Sequence, residues 1–266
     1  MEFYRSHVLV CGGTPCVLEG CKGVREALIA EVKRQGLDKE VKVVETGCLG
    51  PCDLGPVIVI YPEGTLYQKV QVSDVPEIVE QHLLKGRVVR RLVGEAPQAG
   101  VVTYEEPTYL GVQERIVLRN CGVIDPESIE EYIARDGYRA LARCLTEMKP
   151  ADVIEAVRKS GLVGRGGAAF PTGLKWSFTA KAEADQKYIL CNADEGEPGT
   201  FKDRLILEGD PHSILEGMAI AGYAVGADKG FIYVRGEYVL SIERLTKAIE
   251  QARALGLLGS DILGSG

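Results

Sequence analysis

The chain alternates short apolar runs with amphipathic stretches, and the alternation falls into two blocks. In the first, His7 to Cys11 (HVLVC) is an apolar run of strand length. Cys21 to Gly36 then sets Val24, Ala27, Leu28 and Val32 on one face at helical spacing. Val41 to Glu45 (VKVVE) predicts a second strand. Because a helix joins the two, they are expected to lie parallel through a right-handed crossover. VIVIY and TLYQKV flank Pro62-Glu63-Gly64 and read as a hairpin, and Asp74 to Leu84 reads as a helix with Asp74 and Glu77 in capping-box positions. The order is βαββα.

The second block begins near Arg115. Asp125 and Pro126 predict a helix start by cap and first-turn proline, Tyr138 to Glu147 a second helix, and Pro150 to Ser160 a third that ends at Gly161. Strand Tyr188 to Cys191 follows a glycine-dense loop. Then come helix Pro211 to Val225 with Asp210 as its cap, strand Phe231 to Val234, and helix Val239 to Leu255. The helix from Pro211, apolar on most sides, is expected to be buried. Strands alternating with helices predict an α/β fold with a parallel sheet covered by helices. Between the blocks no period is sustained, so the expected division is 1–86, a linker at 87–114, and 115–266. Arg87, Arg90 and Arg91 in that linker read by default as a solvated basic patch.

At 266 residues there is chain enough for two cores. The formal net charge of −7 argues against nucleic acid or an anionic membrane as the principal partner. No run approaches the ~20 apolar residues of a spanning helix, and MEFYRSHVLV has no secretory apolar core, so neither membrane insertion nor export is expected. The expected location is cytoplasmic. There, eight cysteines read as metal ligands or unbridged thiols rather than a disulfide framework.

Four of them form a pattern, Cys11-x4-Cys16 and Cys48-x3-Cys52, in loops rich in Gly and Pro. Each loop follows one of the two parallel strands, so all four are delivered to the same edge of the sheet. A two-iron cluster needs four thiolates in loops whose backbone can fold around sulfide and donate N–H bonds. A redox pair would need CxxC, which is absent; zinc takes four thiolates but usually at tighter spacing; buried thiols remain a third reading. Iron–sulfur is favoured. Cys21 repeats the x4 interval after Cys16, and spacing alone does not choose between them. Cys121, Cys144 and Cys191 lack partner spacing and read as packing residues, and His7, His82 and His212 read as structural, with His82 on an exposed helix face.

The stretch from Gly161 to Arg204 has the composition of a ligand site. Gly164, Gly166 and Gly167 let backbone N–H groups approach an anionic or planar group, Phe170 and Phe178 can stack on a ring, and Lys175 brings positive charge. Asn192, Asp194, Glu195 and Glu197 offer acceptors at the carboxyl end of the strand from Tyr188, where open α/β sheets bind ligands. Arg235 to Tyr238 (RGEY) holds the equivalent place after the next strand. Taken alone, GRGG is an ordinary turn that misses both GxGxxG and GxxxxGK[ST], and DEGEPGTFKD is not a calcium loop.

Together, VGRGGAAFPTGLKW and CNADEGEPGTFKDR resemble the flavin- and NADH-binding loops of the 51-kDa type flavoprotein subunit of complex I. Its relatives include the diaphorase subunits of NAD-linked hydrogenases and formate dehydrogenases. The likeness covers the chain from about residue 115. The cysteine pattern resembles the thioredoxin-like [2Fe–2S] ferredoxin of the 24-kDa complex I subunit, over roughly residues 5 to 86. The fusion of the two is most similar to bifurcating hydrogenase beta subunits and formate dehydrogenase diaphorase subunits.

The resemblance implies a thioredoxin-like ferredoxin domain followed by a partial FMN-binding α/β domain. It implies Cys11, Cys16, Cys48 and Cys52 as cluster ligands. Gly164, Arg165, Gly166, Gly167, Lys175, Asn192, Asp194 and Glu195 are implied at FMN, and Phe170, Phe178 and Glu197 at NAD(H), with Glu197 near the ribose. Ala169 stands where the family usually has glycine. The implied function is an NADH-oxidising or NAD-reducing oxidoreductase subunit working among other subunits; the resemblance leaves open whether electrons bifurcate, with ferredoxin as a further partner. The alternative is a ferredoxin-like relay or docking subunit with no nucleotide site. No acid or base residue is needed, because hydride passes between cofactors. Relatives continue into further strands and a CxxCxxC helical domain for a [4Fe–4S] cluster. On that ground residues 1 to 266 are expected to keep the two-iron cluster, bind FMN poorly and show little NADH dehydrogenase activity.

Overall fold

In the computed structural model, which describes residues 4–93 and 113–265, strand β1 (Ser6–Cys11) runs through the interior of a four-stranded sheet. Val8, Leu9, Val10 and Cys11 are all buried, as a strand covered on both faces requires. β2 (Val41–Thr46) pairs with it in parallel, from Ser6 opposite Val41 to Cys11 opposite Thr46. On the other side β3 (Ile58–Tyr61) pairs antiparallel and turns back into β4 (Thr65–Tyr67), giving the order β2-β1-β3-β4. The parallel pair and the hairpin are as the sequence pattern predicts. A short helix α1 (Thr14–Leu18) lies in the first cysteine loop, and α2 (Cys21–Arg34) makes the crossover with Val24, Leu28 and Val32 in the core.

Three expectations change in this unit. The stretch from Asp74 is not one regular helix but a 3-10 turn Val72–Asp74, a single α-turn α3 (Val75–Glu77) and a π-helical stretch Ile78–Leu84. Pro76 lacks an N–H and breaks the ladder there. The capping box is formed by Gln71 and Asp74, not Asp74 and Glu77, and Gln71 N–H donates to Asp74 Oδ2 at 2.8 Å. His82 is buried rather than exposed, its Nδ1 2.8 Å from the Tyr67 hydroxyl. Arg91 is exposed, as are Arg87 and Arg90, and pairs with Glu77 and, at 2.8 Å, with Asp74.

The described residues group as two units, Met1–Pro126 with Glu208–Asp210, and Glu127–Leu207 with Pro211–Gly266. Of the expected linker, residues 94–112 lie outside the described residues, and 87–93 and 113–114 belong to the first unit.

The second unit holds α4 (Ile129–Ala134), α5 (Arg139–Glu147), α6 (Pro150–Lys159), α7 (Thr172–Lys181), β5 (Tyr188–Ala193), α8 (Lys202–Gly209) as far as Leu207, α9 (Pro211–Val225), β6 (Lys229–Val234) and α10 (Val239–Ala254). β5 and β6 pair in parallel, Tyr188 opposite Lys229 through Ala193 opposite Val234. Helix α4 starts at Ser128, whose hydroxyl accepts the Glu131 N–H at 3.2 Å, not at Asp125 and Pro126. Two helices go beyond the sequence reading. In α7 the apolar residues fall at Leu174, Trp176 and Phe178, alternating as in a strand, and α8 lies in a stretch read as loop.

α9 is largely buried, as expected, and anchors a polar knot. Its Glu216 accepts the Tyr132 hydroxyl at 2.5 Å and the N–H groups of Tyr138 and Leu141 at 2.9 and 3.1 Å. Those two N–H groups lie at the start of α5, where no intrahelical acceptor is available. His212 on the same helix is buried between Tyr138 and Gln251, a structural place as the sequence suggests.

Candidate functional site

In the first unit the carboxyl ends of β1 and β2 bring the two cysteine loops together. Cys11, Cys16 and Cys48 are buried and Cys52 is exposed. Their sulfurs follow one another as a chain: Cys11 lies in hydrogen-bonding contact with Cys16 and Cys48, and Cys48 Sγ is 3.7 Å from Cys52 Sγ. Among the described residues no three such side chains close around a single-ion position. Thiol donors from Cys16 and Cys48, joined by the N–H groups of Leu49 and Gly13, outweigh burial and lower the Cys11 pKa to about 3. These contacts favour the thiolate at Cys11. The same contacts, together with burial, push Cys16 and Cys48 upward.

The loops leave no room for side chains at two places. A Cβ on Gly13 would come within 3.0 Å of Cys48 Cβ, and one on Gly55 within 3.0 Å of Cys16 Sγ. Cys21 is fully buried at the start of α2 and close enough to raise the Cys16 pKa. Cys121 and Cys144 are buried and Cys191 is half-buried, and burial raises the pKa of the last two.

In the second unit the glycine loop is a closed ribbon. Val163 bridges Pro171, Gly164 N–H donates to the Phe170 carbonyl at 2.8 Å, and Thr172 N–H to the Leu162 carbonyl at 2.9 Å. Gly167 has φ +107°, a conformation that needs glycine, and Ala169 takes φ +50°. A Cβ at Gly166 or Gly167 would meet nothing within 4 Å, so the backbone there faces open space. Lys175 and Phe178 stand exposed on α7, and Phe170 is exposed at the loop's end. α7 seats this group firmly, since a Cβ on its Gly173 would fall 2.6 Å from the Arg158 nitrogen on α6.

The acidic loop after β5 is built differently. Asn192 Oδ1 accepts the Asp194 N–H at 3.2 Å, Asp194 pairs with Arg235 at 3.8 Å, and Glu197 is exposed. Glu195 is buried and turned to the start of α8, accepting the N–H groups of Asp203 and Arg204 at 3.0 and 3.2 Å. The Tyr238 hydroxyl reaches it at 3.3 Å and Arg235 Nη1 donates to its carbonyl at 2.9 Å. Burial raises the Glu195 pKa, but these hydrogen bonds outweigh it and the net shift is downward. RGEY thus meets the acidic loop. Lys202 connects the acidic and glycine loops, its Nζ donating to the Arg165 carbonyl at 3.4 Å. Sequence reasoning passed over Lys202, although it lies inside the motif that carried the resemblance.

Comparison with known proteins gives two family matches, residues 3–83 to the thioredoxin-like [2Fe–2S] ferredoxin and residues 157–262 to the Nuo51 FMN-binding domain. Each segment matches its own family model, and neither match covers half of the chain. The ferredoxin-like domain is similar to the thioredoxin-like [2Fe–2S] ferredoxin of Aquifex aeolicus, 35% identical over 35% of this chain and all of that one, with a TM-score of 0.33. A stretch of 154 residues is 61% identical to the NADP-reducing hydrogenase subunit HndC of Solidesulfovibrio fructosivorans, a match covering 58% of this chain and 31% of that protein. The subunit alpha of the NAD-reducing hydrogenase HoxS of Cupriavidus necator is 34% identical over 97% of this chain and 41% of its own length. The chain therefore spans less than half the length of these two curated relatives. Among the described residues no helix is long and apolar enough to cross a membrane.

Proposed function

We propose that the chain is the nucleotide-oxidising flavoprotein part of a multisubunit oxidoreductase of the hydrogenase, formate dehydrogenase or complex I type. In this reading it moves electrons between NAD(H), FMN and a [2Fe–2S] cluster in the cytoplasm. The observation that carries the reading is the run of 34% identity through both domains, over 97% of the chain, to a subunit of an NAD-reducing hydrogenase. The groups it would hold supply two-electron exchange at flavin and one-electron exchange at the cluster.

Cys11, Cys16, Cys48 and Cys52 are the cluster ligands in this proposal. A chain of sulfurs suits a two-iron group, which takes two thiolates at each end, and the tight approaches of Gly13 and Gly55 to Cys48 and Cys16 leave the loops room for little else. The contacts that lower the Cys11 pKa favour its thiolate, the ligating form. Gly166 and Gly167 offer an open backbone face to FMN, with Gly164 and Arg165 beside them in the same loop, Lys175 its charge, and Asn192 and Asp194 polar contacts at the strand end. Glu195 shapes the flavin wall by holding α8, Arg235 and Tyr238 in place. Phe170 and Phe178, both exposed, would stack with the nicotinamide nucleotide, and the exposed Glu197 would accept hydrogen bonds from its ribose.

The test is to reconstitute the protein with iron, sulfide and FMN and record its visible spectrum before and after NADH. A flavin band with iron–sulfur shoulders, bleached by NADH, supports the proposal. Because residues 1 to 266 are expected to bind FMN poorly, FMN is supplied in large excess; shoulders that NADH leaves untouched, with no flavin bound even then, refute the flavoprotein reading.

A further inference from the structure

Two charged side chains from outside residues 3–83 reach the cysteine loops. Glu208 is 1% exposed and takes both donors of Thr14: the hydroxyl donates to Oε1 at 2.5 Å and the N–H to Oε2 at 3.1 Å. Thr14 lies midway between Cys11 and Cys16 and opens α1, so its N–H has no partner within the helix. On the other loop Arg115 donates to the Leu49 carbonyl at 3.1 Å, and the Leu49 N–H points at Cys11 Sγ, 3.5 Å away. All of these residues belong to the first unit.

The backbone that presents Glu208 is pinned. A Cβ on Gly209 would come within 2.3 Å of Cys121 Sγ, and one on Gly47 within 2.7 Å of Gly209 Cα. Residues 208–210 therefore touch, backbone to backbone, the residue that precedes Cys48. Thr46 adds a hydroxyl bond to the Ile124 carbonyl at 2.8 Å.

We propose that Glu208 is a positioning residue for the cluster, fixing the loop from Cys11 to Cys16 through Thr14 and setting how firmly the [2Fe–2S] group is held and at what potential. The inference rests on the cluster assignment above. A carboxylate this deeply buried is costly unless its oxygens are satisfied, and Thr14 satisfies both of them. Removing it strands a hydroxyl and an N–H beside the thiols and opens a path for water. Its charge, acting through a low-dielectric interior, also opposes the electron added on reduction.

The experiment uses the full chain, reconstituted with iron and sulfide, as unmodified protein, Glu208→Ala, Glu208→Gln, Thr14→Val and the Glu208→Ala/Thr14→Val double variant. Two quantities are read: the rate at which a chelator bleaches the visible absorption, and the midpoint potential from an EPR-monitored redox titration. Loss of a charge-assisted contact in Glu208→Ala should speed bleaching by about ten- to a hundredfold. Glu208→Gln keeps an acceptor for the hydroxyl, so bleaching should stay within about threefold while the potential rises with the lost charge. Adding Thr14→Val to Glu208→Ala should change little, because the two act as one contact. Unchanged bleaching and potential in Glu208→Ala would overturn the proposal, as would fully additive effects of the two substitutions. A stable cluster insensitive to Glu208 sinks this inference alone; an unmodified protein that takes up no cluster sinks the assignment and the inference together.

Discussion

Glu195 gives the most direct test of how the acidic loop is built. Its carboxylate accepts the first N–H groups of α8, from Asp203 and Arg204, and a hydroxyl from Tyr238. Substituting alanine removes a helix cap, which costs about 0.5–2 kcal/mol. It also removes charge-assisted hydrogen bonds, typically about 1.5–3 kcal/mol. The two figures describe overlapping contacts, so the expected loss is about 2–3 kcal/mol. That corresponds to a melting temperature lower by roughly 5–10 °C for a unit of this size.

The pH dependence has a definite sign. The folded-state pKa of Glu195 is lowered, so the unfolded chain takes up the proton first as pH falls. The stabilisation is complete above the unfolded value of ~4.3 and is lost as pH drops through the lower folded value. Urea titrations followed by circular dichroism, without flavin, should show the full difference between unmodified protein and Glu195→Ala near pH 7. The difference should shrink below about pH 4. Glu195→Gln, which keeps one acceptor, should fall between the two. A midpoint unmoved in Glu195→Ala near neutrality, or a difference that persists undiminished in acid, would refute the capping argument.

Cys16→Ser should abolish the EPR signal of the reconstituted cluster while Cys21→Ser leaves it; loss of the signal only in the Cys21 variant would reassign the ligand. Glu197 should repel a 2′-phosphate, so NADH should be preferred to NADPH and Glu197→Gln should narrow the preference. The 61% identical region of a subunit named for NADP reduction makes this a sharp comparison, and equal rates with both nucleotides would count against Glu197 at the ribose. Burial lowers the pKa of His82 and His212. Both therefore resist protonation in the fold, so stability should decline as pH falls below the ordinary imidazole value of ~6.5. NMR titration of their ring protons checks this, and normal titration in the folded protein would contradict it.

What the sequence revealed was what local pattern encodes. Period-2 and period-3.6 apolar positions located β1, α2, β2 and the hairpin, and the crossover rule was enough to bring Cys11 and Cys48 to one edge. α7 escaped because Leu174, Trp176 and Phe178 alternate, and because Gly173, which a helix usually avoids, is there for contact with Arg158. His82 looked exposed on a regular helix, and the π-helical stretch from Ile78 places it inside against Tyr67. Glu195 was read as facing a ligand because acceptors in a turn-rich loop carry no mark of direction; only the fold brings the start of α8 to it. Glu208 and Arg115 were out of reach for a simpler reason, since their partners lie far away in the chain.

That distance has a consequence for how the protein is made. Thr14 precedes Glu208 by 194 residues. At about 5–20 residues per second, a ribosome needs roughly 10–40 s to cover that span. The sheet that gathers the four cysteines is complete by Tyr67, long before Glu208 has been added. For that interval the first cysteine loop is folded but unlatched, which gives iron and sulfide delivery an open door that the later part of the chain then shuts.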